Sequence, residues 1–374
     1  MRIAVNTRFL LKDKLEGIGR FTHEILSRMT LNHPEHEFIF FFDRPFDKQF
    51  VYAPNVTPVV LFPPARHPFL YVWWFEWSVA NALKKYKADL FFSTDGYNVL
   101  NTTVPSALVI HDLAWLHFSD AINIIGMKYH QYFVPRFINK ATKLIAVSEY
   151  TKADIAKSFN INPNHINVVY NAPSIGFKPL HIEAIQQVRN EYTKGKPYLL
   201  YVGAMHPRKN ISNLLKAYDK YRSESDSDMP LLVVGRKAWA TTDIEDTFEK
   251  MKFKQDVIFT NRVSEDVLYK ITASAYCMVY IPFFEGFGLP IVESMSCGVP
   301  VITSDCTSMP EVGGQASLLT NPNDINAIAD AIIKITTNTI LYQAHREMSI
   351  PQASKFNWDK SAEDMWKVLI GSKI

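Results

Sequence analysis

Short apolar runs punctuate the chain, and the stretches between them carry a different period. A first set comprises Ile3–Val5, Phe38–Phe42, Val56–Leu61, Leu90–Phe92, Ala107–Ile110, Leu144–Val147 and Ile166–Val169. A second comprises Tyr198–Val202, Leu231–Val234, Val257–Phe259, Met278–Ile281, Val301–Thr303 and Ser317–Leu319. Runs this apolar, without polar alternation, read as strands buried on both faces. The intervening segments have helical spacing: Ile18, Phe21, Ile25 and Met29 fall on one face, as do Ile211, Leu214, Leu215 and Tyr218, and Ile325, Ile328 and Ile332. Strands alternating with helices predict parallel sheets covered by helices, joined by right-handed connections. The two sets meet near 175–197, where Pro173, Pro179, Gly195 and Pro197 cluster around one helical stretch, Ile182–Tyr192. That composition reads as an interdomain linker.

Composition changes this picture little. A chain of 374 residues suggests two domains at about 150 residues each. With 47% hydrophobic and 21% charged residues it can build ordinary cores. The net charge of +3 is too small to argue for nucleic acid. Cys277, Cys297 and Cys306 form no Cys-x-x-Cys pair, and their odd number argues against a disulfide framework; a reducing, cytosolic compartment is expected. No leader is read ahead of Arg2–Val5. The most apolar stretch, Pro68–Leu83, is interrupted by Glu76 and is short for a bilayer span of about 20 residues.

Candidate chemistry concentrates in the second set. The segment Phe284 to Val301 reads F-E-G-F-G-L-P-I-V-E-S-M-S-C-G-V-P-V and follows a strand. Gly286 and Gly288 permit close backbone approach. Pro290 suits a first helical turn, whose free N–H groups and dipole attract phosphate. Glu285 lies before that helix and Glu293 inside it, a spacing that lets one carboxylate face a sugar and the other ribose hydroxyls. A capping Glu at a loop–helix junction accounts equally well for an isolated pair. A second motif, G-A-M-H-P-R-K-N at 203–210, places Arg208 and Lys209 at a strand end. A bidentate fork and a point charge there suit a leaving diphosphate, although such a pair is also common on solvated surfaces.

The whole string at 284–301 resembles the signature of the retaining glycosyltransferases of family 4. The resemblance implies an α/β fold of GT-B architecture, two doubly wound Rossmann-like domains facing an interdomain cleft, where the ligand sites of open α/β sheets lie. It implies that Glu285 contacts the transferred sugar and Glu293 the donor ribose. The backbone of Gly286, Phe287, Gly288 and Leu289 would line the sugar and diphosphate site. Arg208 and Lys209 match the phosphate-binding pair, with Ala204 where many members carry Arg. Gly17, in E-G-I-G-R at 16–20, resembles the glycine loop facing the donor phosphates, with Glu16 in place of a second glycine. His111, in His111-Asp112, resembles the histidine set against the donor sugar. The loop Arg262-Val263-Ser264 would frame the nucleobase, and Ser308 to Val312 would pack beside the donor site. V-S-E-Y at 147–150 and Y-N-A-P at 170–173 follow the family's strand-end pattern, the latter with Ala172 in a position commonly held by Gly. The last helix, after Phe356-Asn357-Trp358, would return to the first domain. Expected boundaries are 1–178 joined by 358–374, and 179–357.

The function so implied is retaining transfer of mannose or a similar hexose from a GDP- or UDP-linked donor to a glycan or lipid-linked acceptor, with no metal and no other cofactor. Other readings are weaker. Gly17-Ile18-Gly19 with Asp43 about 25 residues on imitates a dinucleotide fingerprint, but Asn6 to Glu16 separate it from the strand and Thr22 occupies the third position. Asp226-Ser227-Asp228 has the letters of a metal motif in a Ser-rich stretch that reads as solvated loop. A catalytically silent binding subunit of the same fold is the remaining alternative. The run Phe69-Leu70-Tyr71-Val72-Trp73-Trp74-Phe75-Glu76-Trp77, flanked by Arg66, Lys84, Lys85 and Lys87, reads either as a core helix or as a peripheral contact with the inner face of the cell membrane.

Overall fold

The computed structural model describes residues 1–12, 14–65, 67–118, 124–235 and 242–371. Arg66 and the end of the expected last helix, 372–374, lie outside the described residues. The chain divides into two compact units, one formed by Met1–Asn171 with Asn357–Ile374 and the other by Ala172–Phe356.

Each unit is built on a parallel sheet. In the first, β1 (Arg2–Asn6), β2 (Glu37–Phe42), β3 (Val56–Val60), β4 (Leu90–Ser93), β5 (Ser106–Ile110), β6 (Lys143–Ala146) and β7 (Ile166–Val168) lie in the order β3-β2-β1-β4-β5-β6-β7. In the second, β8 (Leu199–Val202), β9 (Leu231–Val234), β10 (Val257–Phe259), β11 (Cys277–Tyr280), β12 (Val301–Ser304) and β13 (Ser317–Thr320) lie in the order β10-β9-β8-β11-β12-β13. Every run read from the sequence is therefore a strand, to within one residue at either end. The strand order reverses once in each sheet, between β1 and β4 and between β8 and β11. Loops leaving the carboxyl ends of strands at such a reversal form the crevice where open α/β sheets take ligands.

The strands are apolar because helices cover both faces. Ile3 to Val5, Phe38, Phe40, Phe91 and Phe92 are fully buried, as are Leu231 to Val233 and Val279. Pro58 is tolerated in β3 because that strand is an edge. The last helix, Trp358–Ile370, packs on Gly17–Asn32 in the first unit. Trp366 stacks on His33 at 3.8 Å, Trp358 meets Phe21 edge-on, and Arg28 binds Asp359. Asn357 caps this helix through the N–H groups of Asp359 and Lys360. Burying Trp358, Met365, Trp366 and Leu369 stabilises the closure by about 1.5–3 kcal/mol per side chain.

The division between units falls at Asn171/Ala172, ahead of the expected 178/179. The segment after Pro173 is not a free linker. Phe177 packs edge-on against Tyr269 at 4.5 Å, and Gly176 lies so close to the same ring that a Cβ would overlap it. Both tie residues 174–179 to the second unit. The helix read at Ile182–Tyr192 runs Ile182–Thr193.

The aromatic run buries one face, as the core-helix reading expects, and leaves the other exposed. A helix from Pro68 to Trp73 widens into a π turn over Trp74–Val79 and resumes as Ala80–Lys85. One face buries Trp74, Phe75, Val79 and Leu83 in the core of the first unit. The other exposes Phe69 (71%), Trp73 (58%) and Trp77 (55%). Glu76 turns inward, where its carboxylate accepts from the backbone N–H groups of Leu100 and Asn101. Among the described residues no helix is long and apolar enough to cross a membrane.

Candidate functional site

The chemistry gathers at the reversal point of the second sheet. After β8, a short 3-10 turn over Pro207–Lys209 carries the two cations. His206 caps it, its Nδ1 accepting from the Arg208 N–H at 3.3 Å. Asn210 ends the turn in the left-handed region at φ 59°. Its buried side-chain amide donates to the carbonyls of Ile281 and Pro322, at 3.1 and 2.7 Å, fixing the turn to the ends of β11 and β13. The Phe283 N–H completes the join by donating to the Arg208 carbonyl at 2.9 Å.

Glu285 leaves β11 and meets those cations. Its Oε1 accepts from Arg208 Nη1 at 2.9 Å and from Tyr280 Oη at 2.8 Å, and it is also paired with Lys209 Nζ. Lys209 Nζ donates to Tyr280 Oη at 2.7 Å. Arg208 Nη1 also reaches the Phe284 carbonyl at 3.1 Å. Burial raises the Tyr280 phenol well above its usual range, with Arg208 opposing and Glu293 reinforcing the shift. Burial, then the charges of Arg208 and Lys209, hold His206 below the usual histidine value. One buried carboxylate thus carries two cations, and His206 beside them stays neutral.

The loop following Glu285 is shaped to start a helix. Gly288 adopts φ 99° and caps Leu289–Ser296, with Pro290 in the first turn. A Cβ at Gly288 would stand 2.6 Å from Met309 Cε, the movable end of a flexible side chain, so it is the positive φ that favours glycine here. Ser308 Oγ lies 2.9 and 3.1 Å from the carbonyls of Glu285 and Phe287 and donates its one hydrogen between them. The expected packing of Ser308 to Val312 beside this loop is therefore direct. Gly286 and Phe287 are buried, Leu289 and Glu293 half-buried. Arg262 is exposed and Val263 half-buried on the loop after β10, which turns at Asn261. The 226–228 aspartates lie before β9, with Asp226 and Asp228 exposed and Asp228 paired to Lys196.

The remaining predicted residues belong to the first unit. His111 follows β5, and its Nε2 donates to the Thr94 carbonyl at 2.8 Å. A carbonyl only accepts, so the hydrogen sits on Nε2 and Nδ1 keeps its lone pair. Burial lowers the His111 pKa, opposed by that hydrogen bond and by Asp112 and Asp95, so the ring is neutral. Asp112 caps the turn at Ala114. Gly17 opens the helix Gly17–Asn32 with open space around it, whereas a Cβ at Gly19 would meet the Phe9 carbonyl at 2.6 Å. The packing demand thus falls on Gly19.

Sequence reasoning singled out neither Tyr280 nor Asn210, both of which organise the cluster. Nor did it find the buried pair Arg8–Asp95 at the reversal point of the first sheet, Nε to Oδ2 2.5 Å. The Arg8 guanidinium lies over Tyr97 at 4.2 Å and Tyr71 at 4.9 Å. The available signals were one charge in an apolar N-terminal run and one hydroxyl at the end of an apolar strand.

Two family models match the chain, that of Glycosyltransferase Family 4 over residues 15–173 and that of Glycosyl transferases group 1 over residues 183–355. The chain is 28% identical to O-antigen chain mannosyltransferase B of Escherichia coli over 365 residues, covering 93% of this chain and 94% of that protein. It is 27% identical to the O-antigen chain mannosyltransferase RfbU of Salmonella typhimurium, over 76% of each. Its fold matches WaaG, a glycosyltransferase involved in lipopolysaccharide biosynthesis, with a TM-score of 0.79 at 16% identity, over 99% of this chain and 100% of that one. That likeness establishes the two-sheet GT-B fold.

Proposed function

Because this chain belongs to the glycosyltransferases of family 4 and group 1, we infer that it transfers mannose from a nucleoside-diphosphate sugar to a glycan or lipid-linked acceptor, with retention and without a metal. The choice of mannose rests on the names of the two O-antigen mannosyltransferases it resembles. The observation that carries the reading is the convergence of Arg208, Lys209 and Glu285 beside the start of the helix Leu289–Ser296.

A departing nucleoside diphosphate gathers negative charge on its terminal phosphate. Arg208 and Lys209 meet that charge from a pre-fixed turn, and the dipole of the helix starting at Leu289 adds a partial positive charge. Donors held in place before the reaction need no reorganisation during it, which lowers the barrier. In the free chain both cations rest on Glu285. The diphosphate competes for them and releases the carboxylate to hold the hexose hydroxyls. Glu293 holds the ribose, the loop at Arg262 and Val263 frames the base, and Gly17 and His111 keep the roles their resemblance implies. The bond from the anomeric carbon to the phosphate oxygen breaks while the acceptor hydroxyl bonds to the same face. Its proton passes to the departing phosphate, so no covalent nucleophile is required.

The exposed stripe Phe69, Trp73 and Trp77, continued by Lys84 and Lys85, supports placement on an anionic membrane surface that presents a lipid-linked acceptor. Amphipathic rings on one helix face with lysines at its end suit the headgroup region.

The test is a transfer assay with GDP-, UDP- and ADP-linked hexoses, run with and without EDTA, with the product anomer assigned by NMR. Transfer of mannose with retained configuration, unaffected by EDTA, is expected. Inversion, EDTA sensitivity or transfer of a different sugar only would overturn the corresponding part. Flotation with anionic vesicles tests the stripe, and Trp73→Ser with Trp77→Ser should abolish it without lowering Tm.

A further inference from the structure

We propose that Tyr280 is a positioning residue that holds Glu285 in its working orientation while the donor's diphosphate draws Arg208 and Lys209 away. The inference rests on the reading of this cluster as the donor site.

Tyr280 is the last residue of β11 and is fully buried. Its hydroxyl stands 2.7 Å from Lys209 Nζ and 2.8 Å from Glu285 Oε1. An ammonium group can only donate, so the hydroxyl accepts from Lys209 and must give its own single hydrogen to Glu285. The direction of both bonds is therefore set by chemistry. Burial keeps the phenol protonated throughout the working pH range, so the donor to Glu285 is permanent.

Three donors converge on Glu285 Oε1: Arg208, Lys209 and Tyr280. Two are cations, which a diphosphate attracts. The third is neutral, gains nothing by turning to phosphate, and is anchored in a strand rather than a turn. When the cations move, Tyr280 remains as the partner that fixes the carboxylate. A hydrogen bond to a charged group is among the stronger ones, and its loss lets the buried carboxylate turn.

The experiment replaces Tyr280→Phe, which removes one oxygen and keeps the ring. Tyr218→Phe serves as the matched control, since that buried hydroxyl donates to the Met229 carbonyl away from the cluster. With Tyr280→Phe, kcat should fall about tenfold or more. The donor KM and the affinity for the free nucleoside diphosphate should change less than about threefold, because the phosphate-binding cations are intact. The Glu285 carboxyl, followed by NMR in the free protein, should titrate at higher pH than in the native chain, having lost a donor to its ionised form. Tyr218→Phe should leave kcat and the Glu285 titration unchanged.

A purely structural role would lower Tm and weaken kcat and binding together, with the Glu285 titration unmoved; that result would overturn the proposal, as would unchanged kcat. The NMR titration needs no donor. If the native chain transfers no sugar, the functional reading fails, while the titration still decides whether Tyr280 holds Glu285.

Discussion

The reversal points of the two sheets carry opposite solutions to the same electrostatic problem. In the first unit, Arg8 and Asp95 form one ion pair with side chains only 5% and 1% exposed, closed over by Tyr71, Phe75 and Tyr97. Neighbouring His111 is neutral. In the second unit, two cations share one carboxylate, and Arg208 and Lys209 keep 23% and 13% of their side chains in solvent. A sealed pair of matched charges has nothing left to offer a ligand, and removing one partner strands the other. An excess of cations at a half-open edge can be redirected to an anion. On the proposed reading, the donor's charge therefore falls to the second unit.

That contrast can be broken at either end. The largest effect is expected from Arg8→Met, which leaves Asp95 buried without its cation. Urea denaturation should register a loss of about 3–5 kcal/mol, and a loss under about 1 kcal/mol would mean that the pair is not sealed. Lys209→Met should do the reverse, leaving Tm nearly unchanged while kcat/KM falls about 10²–10³-fold, typical for one preorganised donor. Full activity would remove Lys209 from the site.

Gly288→Ala sharpens the comparison within the second unit. The left-handed backbone should cost about 1–3 kcal/mol by chemical denaturation and weaken nucleoside-diphosphate binding measurably. An unaffected Tm would show that the loop relaxes freely.

The smallest effect concerns pH. Burial holds His111 below the usual histidine value, and burial with the two nearby cations does the same for His206. Below that value the unfolded chain binds more protons than the folded one. The stability from these rings is therefore complete above about pH 6.5 and is lost as pH falls through their folded values. Thermal scans from about pH 7 to about pH 5 should show Tm falling, and His206→Gln should flatten part of the fall. A Tm that rises on acidification would contradict the assignment of neutral rings.

Much of this architecture was legible from pattern alone, because a parallel strand covered on both faces must be apolar throughout, and a run such as Leu231–Val234 fits neither a half-exposed strand nor an amphipathic helix. The motif residues Arg208, Lys209 and Glu285 were legible because they sit at strand ends in the expected sheet. What escaped depends on long-range geometry. Arg8 and Asp95 meet across 87 positions of sequence. Tyr280 looks like any strand-forming aromatic until its hydroxyl is placed between Lys209 and Glu285. Pro173 and Pro179 suggested a linker, but the hydrophobic Phe177 between them docks on Tyr269 and moves the division to 171/172. The helix over Pro68–Lys85 was ambiguous because aromatics surround it, and the structure buries one face and exposes the other.

Binding of a nucleoside-diphosphate sugar by the Arg208–Lys209–Glu285 cluster underlies the functional expectations. Calorimetric titration of GDP-mannose and UDP-linked hexoses into the native chain and into Lys209→Met tests it without reference to turnover. Saturable binding of one of these donors by the native chain is expected, with binding at least about tenfold weaker in Lys209→Met, the loss of one charge-assisted contact. Absence of binding by any nucleoside-diphosphate sugar, or equal affinity in the two proteins, would contradict it.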